Sequence, residues 1–216
     1  MKINKFLVSI DMTFHDCKTL IISDFKRFGG GNLCFSYLWE ESFKVTFWFR
    51  IGSFVLEKYR KSKCWLPFYI MLKVIYKHIQ HKTGIQLPLG TNIGEGLRFF
   101  HHDCIIIAQM SNIGKNVSIH QGVTIGRSFN GNHAGVPTIG DSVVIFPGAK
   151  IVGNVTVGNN AVIGANAVVV NDVPENAVVG GIPAKVISTD SSKCFNKYWG
   201  SVFSHSYDEN GIDRRY

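Results

Sequence analysis

Apolar residues recur at every sixth position through the second half of the chain. The leading residues of this series are all β-branched: Ile107, Ile113, Ile119, Ile125, Ile139, Ile145, Ile151, Val157, Ile163 and Val169. One step, from Ile125 to Ile139, is fourteen instead of six. A small residue, mostly Val or Ala, stands four places after nine of these ten residues; the exception is Ile125, which precedes the long step. A period of six fits neither the 3.6-residue turn of a helix nor the alternation of a single strand.

This spacing predicts a short strand and a turn that repeat, with the β-branched residue pointing inward. Eighteen residues would then form one coil with three sides. Stacked coils would pair the backbone groups of each strand with the coils above and below. Gly and Asn, which often follow the leading residue, tolerate the positive φ that such corners require. A Val- and Ile-rich β-sandwich is the alternative, but ten positions in register favour the repeat.

The front of the chain has a different pattern, because its apolar residues are spaced by three and four, as in amphipathic helices. Two or three such helices are expected over 36–82, and Thr83-Gly84 is a plausible stop. The apolar face predicted for the first of them carries Phe47, Trp48, Ile51, Phe54, Val55 and Tyr59. We therefore predict a helical N-terminal region over 1–83, a repeat domain over 84–187 and a C-terminal tail over 188–216.

The composition narrows the class of protein. Of the 216 residues, 45% are hydrophobic and 18% charged, which is too apolar for a disordered chain. The five cysteines form no CxxC pair, so we expect reduced thiols and a cytoplasmic protein: Cys17, Cys34, Cys64, Cys104 and Cys194. The N-terminus lacks a signal-peptide cleavage pattern. The longest apolar stretch, 65–79, is too short to span a membrane.

Four segments of the repeat region resemble the serine acetyltransferase branch of the hexapeptide-repeat acyltransferases. They are GEGLRFFHHDCIII, SNIGKNVSIHQGVTIG, PTIGDSVVIFPGAKIVGNVTVGNNAVIGANAVVVNDVP and GGIPAKVI. The resemblance implies a mainly β protein with an α-helical N-terminal part, whose repeats form a left-handed parallel β-helix. It also implies a homotrimer, or a higher oligomer of trimers, that binds acetyl-CoA in clefts between subunits.

Acetyl transfer to a hydroxyl requires a base, and an imidazole with its unperturbed pKa near 6.5 suits this role. Alignment with the family on Gly94 and Ile113 implies that His101 is the catalytic base. Whether the neighbouring His102 shapes the site or is merely exposed stays open. His120 occupies a corner where Gly usually stands, which favours a structural role over a place in the site.

The sequence departs from serine acetyltransferases at two places. Gln86 stands where the family has an Asp that orients the catalytic His, and Asp103 either replaces that carboxylate or caps a turn. The Arg-His-Pro element that helps to bind the amino-acid acceptor is absent, since Val136 precedes Pro137 and the nearest His is His133. A zwitterionic acceptor would want a cation there. These departures favour a hydroxyl acceptor other than serine.

For the cofactor, the resemblance implies that Ala149 and Ala165 leave room for the pantetheine arm of acetyl-CoA and that Lys185 meets a phosphate. The alternative for the two Ala residues is packing within the repeat. The inserted loop 127–136 carries Gly131, which would let the backbone approach a ligand, although a surface excursion is the simpler explanation. No metal is expected.

The entire net charge of +8 lies in residues 1–92, which hold 14 Lys or Arg and 6 Asp or Glu. Two explanations for this basic, aromatic front stay open: a cap that seals the first coil and builds the trimer, or peripheral contact with the anionic inner membrane. A nucleic-acid partner is not expected, because no nucleic-acid-binding motif accompanies the charge.

The sequence thus predicts an acetyl-CoA-dependent O-acetyltransferase of polysaccharide biosynthesis, which acts on a sugar hydroxyl of a bacterial surface polysaccharide or its precursor. Serine O-acetyltransferase of cysteine biosynthesis is the alternative. Two further hypotheses compete. One is a zinc enzyme like the hexapeptide-repeat carbonic anhydrases, which would use His101, His102 or His120 across subunits, and the other is a β-helix scaffold without catalysis.

Overall fold

The protein was analysed as a computed structural model that describes residues 12–28, 37, 40–129, 131 and 133–194. In this part of the chain three α-helices precede the strands: α1 (Phe14–Arg27), α2 (Glu41–Lys61) and α3 (Leu66–Thr83). A 3₁₀ turn at Lys63–Trp65 joins α2 to α3. None of the described helices is long and apolar enough to cross a bilayer.

The thiols of the four described cysteines, Cys17, Cys64, Cys104 and Cys194, are free. Cys34 and residues 195–216 of the predicted tail lie outside the described residues.

The described strands form three sheets, which are the sides of a left-handed parallel β-helix. Sheet A contains β1 (Ile85–Gln86), β4 (Ile105–Ile107), β7 (Thr124–Gly126), β10 (Lys150–Val152) and β13 (Val168–Val169). Sheet B contains β2 (Asn92–Ile93), β5 (Asn112–Ile113), β8 (Thr138–Ile139) and β11 (Thr156–Val157). Sheet C contains β3 (Arg98–Phe99), β6 (Ser118–Ile119), β9 (Val144–Ile145), β12 (Val162–Ile163), β14 (Val178–Gly180) and the antiparallel β15 (Lys185–Ser188).

Successive coils stack with the leading apolar residues in rows. In sheet A, Ile125 pairs with Ile151, and Ile151 with Val169. These side chains point into one buried core. The small residues four places further on, such as Ala149 and Ala161, are fully buried where the chain turns. The predicted fold class is therefore confirmed.

Helices α2 and α3 seal the first coil of the β-helix. Val45 and Phe49 of α2 and Tyr76 of α3 belong to the same buried cluster as the coil residues. The Tyr76 hydroxyl also donates a hydrogen bond of 2.7 Å to the carbonyl oxygen of Leu87. The helices thus seal the first coil, as one explanation of the basic front expected, and their predicted part in building the trimer stays a prediction.

The face that α2 buries differs in part from the predicted one. Its fully buried side includes Val45, Phe49 and Gly52, whereas Phe47 of the predicted face is only half-buried. A Cβ at Gly52 would lie 2.8 Å from Cδ2 of Leu89, so the coil approaches this side of the helix closely. Apolar spacing alone predicted the buried side only in part, because α2 is apolar on two sides: Val55 of the predicted face is buried as well.

A buried ion pair fastens α1 and α2 to the first coil. Asp24 of α1 is 0% exposed and Arg50 of α2 is 2% exposed. The Arg50 guanidinium donates to both carboxylate oxygens of Asp24 at 2.8 and 3.1 Å, and to the carbonyl oxygens of Ile93 and Gly94 at 2.8 and 2.6 Å. The backbone N–H of Leu97 donates to Asp24 at 2.9 Å. Both charges are thereby satisfied without water.

Candidate functional site

The corner between β3 and β4 is longer than the equivalent corner of the next coil. Phe99 and Ile107 are eight positions apart, whereas their partners in the coil above, Ile119 and Ile125, are six apart. The additional residues include Asp103, whose φ of +87° is uncommon for a residue with a side chain. The predicted catalytic His101 lies on this widened corner.

Neighbouring backbone holds the widened corner on both sides. The N–H of Asp103 donates to the carbonyl oxygen of Thr83 at 2.9 Å, and the N–H of Gly122 donates to the carbonyl oxygen of Asp103 at 3.0 Å. Gly84 lies directly beneath, and a Cβ there would be 3.1 Å from the Cα of Asp103. Because Gly84 has a φ of +65° and no side chain, α3 can end against the corner and fix its position.

The corner presents two imidazoles to the outside of the chain. His101 and His102 are both exposed. Within the described residues, no hydrogen bond joins the carboxylate of Asp103 to either imidazole, and its backbone N–H and carbonyl hold the corner instead. In this chain the arrangement therefore favours the turn-forming role for Asp103.

His120 lies in an aromatic stack on the outer side of sheet C. Its ring stacks on Phe100 at a centroid distance of 4.6 Å and on Phe146 at 5.2 Å. The Arg98 guanidinium covers the other side of Phe100 at 4.1 Å. Nδ1 of His120 lies 2.9 Å from the carbonyl oxygen of Ile145, and since a carbonyl only accepts, we assign the proton to Nδ1. This placement agrees with a structural role.

Burial lowers the pKa of His120 below its ordinary value, and the charges of His101 and Arg98 lower it further. The folded protein therefore binds a proton at His120 less readily than the unfolded chain does. We expect the free energy of unfolding to fall as the pH drops below about 6.5, the unperturbed pKa of histidine. His120→Phe preserves the stack and should reduce this pH dependence.

Urea unfolding of the wild type and of His120→Phe at pH 7.5 and at pH 5.5 measures the effect. The wild type should lose more stability between the two values than the variant does. Equal losses in both proteins would show that His120 does not contribute.

The inserted loop 127–136 is closed at its base by two backbone hydrogen bonds. They join Ser128 and Gly135 at 3.0 and 2.9 Å. Gly131 at the tip has a φ of +78°, and a Cβ there would meet nothing within 4 Å. His133 is exposed, while its carbonyl oxygen accepts from the N–H of Asn154 at 2.8 Å.

This loop and the widened corner lie on different edges of the triangular prism. The chain runs from sheet C to sheet A at His101, but from sheet A to sheet B at the loop. Within one chain the structure therefore does not bring Gly131 or His133 together with His101.

The residues predicted to line the cofactor channel separate into two groups. Ala149 is fully buried in the core cluster, so its assignment to a channel wall is wrong and its role is to pack the repeat. Its methyl group points inward because it occupies the small position of the hexad. Ala165, at a corner that follows sheet C, and Lys185 of β15 are both exposed. These two remain available to a ligand.

Two polar residues near the corner were missed by the sequence analysis. Lys150 of β10 donates from Nζ to the carbonyl oxygen of Gly122, and to Oγ1 of Thr124 at 3.2 Å. A cation is thereby held beside the backbone that supports the corner. Gln121 follows His120, and its Oε1 is buried without a hydrogen-bond partner among the described residues. Sequence alone gave no signal for either, since both follow from the stacking of coils.

The described residues contain no group of three or more His, Cys, Asp or Glu side chains that is arranged to hold a metal ion. The zinc hypothesis places His101, His102 or His120 of different subunits around the metal, so a single chain does not test it.

Known proteins with a similar sequence match the repeat region of this chain. A family model described as bacterial transferase hexapeptide (six repeats) matches residues 137–171. A serine acetyltransferase from Staphylococcus xylosus is 37% identical over 149 residues, which are 69% of this chain and 64% of that relative. The chain thus spans less than two thirds of the length of this curated relative.

Two solved structures extend the similarity to the fold. Serine acetyltransferase of Neisseria gonorrhoeae matches with a TM-score of 0.68 and 27% identity, over 82% of this chain and 70% of that one. A serine acetyltransferase in complex with CoA matches with a TM-score of 0.62 and 30% identity, over 80% and 68%. The chain therefore has the hexapeptide-repeat fold of bacterial transferases and is similar to serine acetyltransferases in sequence and in structure.

Proposed function

We propose that this protein is an acetyl-CoA-dependent O-acetyltransferase with His101 as its general base. The observation that carries the proposal is the widened corner, which presents an exposed imidazole at the place where the family motif has its catalytic His. The similarity to the structure of a serine acetyltransferase in complex with CoA supports acetyl-CoA as the donor.

In the proposed reaction, His101 takes the proton from the acceptor hydroxyl as its oxygen attacks the thioester carbonyl. A tetrahedral oxyanion forms and collapses, which breaks the carbon–sulfur bond. The CoA thiolate leaves and takes the proton from the imidazolium, so the base is regenerated. The bonds and protons of this transfer balance with the acceptor, acetyl-CoA and His101 alone.

The relatives favour L-serine as the acceptor, since the proteins reported above are all named serine acetyltransferase. None of the three is named for a saccharide, so the saccharide acceptor predicted from the sequence lacks their support. Lys150 adds a cation near the corner that suits the carboxylate of an amino acid.

A saccharide hydroxyl remains the second candidate because of one feature of this chain. The loop that ends at Val136 lacks the Arg-His-Pro element of the family. That element helps to bind an amino-acid acceptor, and a neutral sugar does not need it.

A homotrimer fits the separation of the predicted site residues. If the loop edge of one subunit lies beside the His101 edge of the next, Gly131 and His133 reach the same cleft as the base. The exposed Ala165 and Lys185 would then contact the pantetheine arm and a phosphate of CoA. A donor made inside the cell agrees with the cytoplasmic location predicted from the cysteines.

The two acceptors are separated by measuring CoA thiol release from acetyl-CoA by the purified full-length protein. We expect release with L-serine, and none with O-methylserine, which lacks the free hydroxyl. Oligosaccharides are tested at the same concentrations. If an oligosaccharide is acetylated and L-serine is not, the proposed acceptor is wrong and a saccharide takes its place. The proposed donor and the proposed base would then stand unchanged.

A further inference from the structure

The third helix is apolar on two opposite sides. One side, with Leu72, Tyr76 and Thr83, is buried against the rest of the protein. The opposite side begins with apolar side chains and continues with basic and His side chains at helical spacing: Pro67, Ile70, Met71, Val74, Lys77, His78 and His81. All seven are exposed, and we call them the outer face of α3.

The apolar part of the outer face is unusually open. Ile70 is 53% exposed, Met71 52% and Val74 65%, and Phe68 beside them is 56% exposed. Four large apolar side chains within two turns form a patch of the kind that marks an interaction site in a folded protein. The first coil does not need this side of the helix, because the buried side already covers it.

The segment of chain that carries the outer face has only basic charged residues, although Lys82 at its end is paired with Glu41 of α2. Residues 58–84 include seven Lys or Arg and no Asp or Glu. Lys73 and Lys77 border the apolar patch, and their aliphatic stems let the ammonium groups extend beyond it. A symmetric contact between two copies of this helix would bring like charges together. The electrostatics therefore favour an anionic partner over a second copy of the chain.

We propose that the outer face of α3 docks on the surface of an anionic phospholipid bilayer. A helix that lies in the plane of the interface inserts its apolar side chains at the level of the headgroups and keeps its lysines among the phosphates. The exposed side chains of Ile70, Met71 and Val74 project from one side of the helix. A lipid bilayer can accommodate them without a groove of matching shape. This docking is independent of the acetyl transfer proposed above.

The test is co-sedimentation of the full-length protein with vesicles of phosphatidylcholine alone or mixed with phosphatidylglycerol. We expect binding to the mixed vesicles, weaker binding at high salt, and little binding to the neutral ones. Lys73→Gln/Lys77→Gln should bind about 30-fold more weakly, since each near-surface lysine contributes about fivefold. Ile70→Ser/Val74→Ser should also release the protein from vesicles.

The matched control is Lys18→Gln/Ile22→Ser, which removes an exposed lysine and an exposed apolar residue from α1 and should bind like the wild type. Circular dichroism confirms that each variant is folded. The proposal is overturned if the wild type does not sediment with anionic vesicles, or if the α3 variants bind these vesicles as well as the control does. A change in oligomer size by Ile70→Ser/Val74→Ser, without any vesicle binding by the wild type, would instead identify a second copy of the chain as the occupant.

Discussion

Replacement of His101 by Ala is expected to lower kcat for acetyl transfer by about 10²–10⁴-fold, the range typical of a general base. The reason is that the acceptor hydroxyl then loses its proton without help. The imidazole is exposed at the corner, so its removal leaves no cavity and the fold should persist. Steady-state thiol release and circular dichroism measure the two effects.

His78→Ala is the control, because it removes an equally accessible imidazole from α3 and should retain activity. His102→Ala tests the assignment itself. If His102→Ala loses acetyl-transfer activity and His101→Ala keeps it, His102 is the general base and our proposal is wrong. CoA binding by His101→Ala, measured by calorimetry, should stay within about twofold of the wild type.

Asp24→Ala is expected to destabilise the protein by about 3–5 kcal/mol, the range for breaking one side of a buried ion pair. The guanidinium of Arg50 would then stay buried beside two carbonyl oxygens without its carboxylate. Burial itself raises the pKa of Asp24, and Arg50 and the N–H of Leu97 oppose this rise. Urea unfolding gives the change in free energy.

A surface ion pair between α2 and α3 provides the control. Lys82 is 59% exposed and lies 2.9 Å from Glu41, so Lys82→Ala should cost at most about 1 kcal/mol. If both members of the buried pair are replaced, Asp24→Leu with Arg50→Met, the loss should be much smaller than the sum of the single losses. A loss below about 1 kcal/mol for Asp24→Ala would show that the pair does not fasten the helices.

Most of the repeat domain could be predicted from the sequence because its contacts repeat. Each leading residue, such as Ile145, stacks on the equivalent residue of the next coil. The same contact therefore recurs many times along the chain. The helices gave a weaker signal. Their apolar spacing predicted that they exist, but it identified the buried side of α2 only in part.

The candidate site was only partly predictable. The motif located His101, and the resemblance supplied its proposed role. The eight positions between Phe99 and Ile107 are visible in the sequence. They indicate a long corner only when they are compared with the six positions between the strand partners of these residues in the next coil. Ala149 was misassigned because a small residue that lines a channel and one that fills a turn look the same in a sequence.

The sequence by itself determined the β-helix, the position of His101 in the family motif and the basic, aromatic character of the helical front. The tertiary structure decided which residues meet over long distances. It brought Asp24 to Arg50 and to the first coil, stacked His120 between two phenylalanines, and left the inserted loop on a different edge from His101. The physical reason is that a periodic pattern specifies contacts one coil away, whereas a single ion pair or ring stack has no repeat by which it can be recognised.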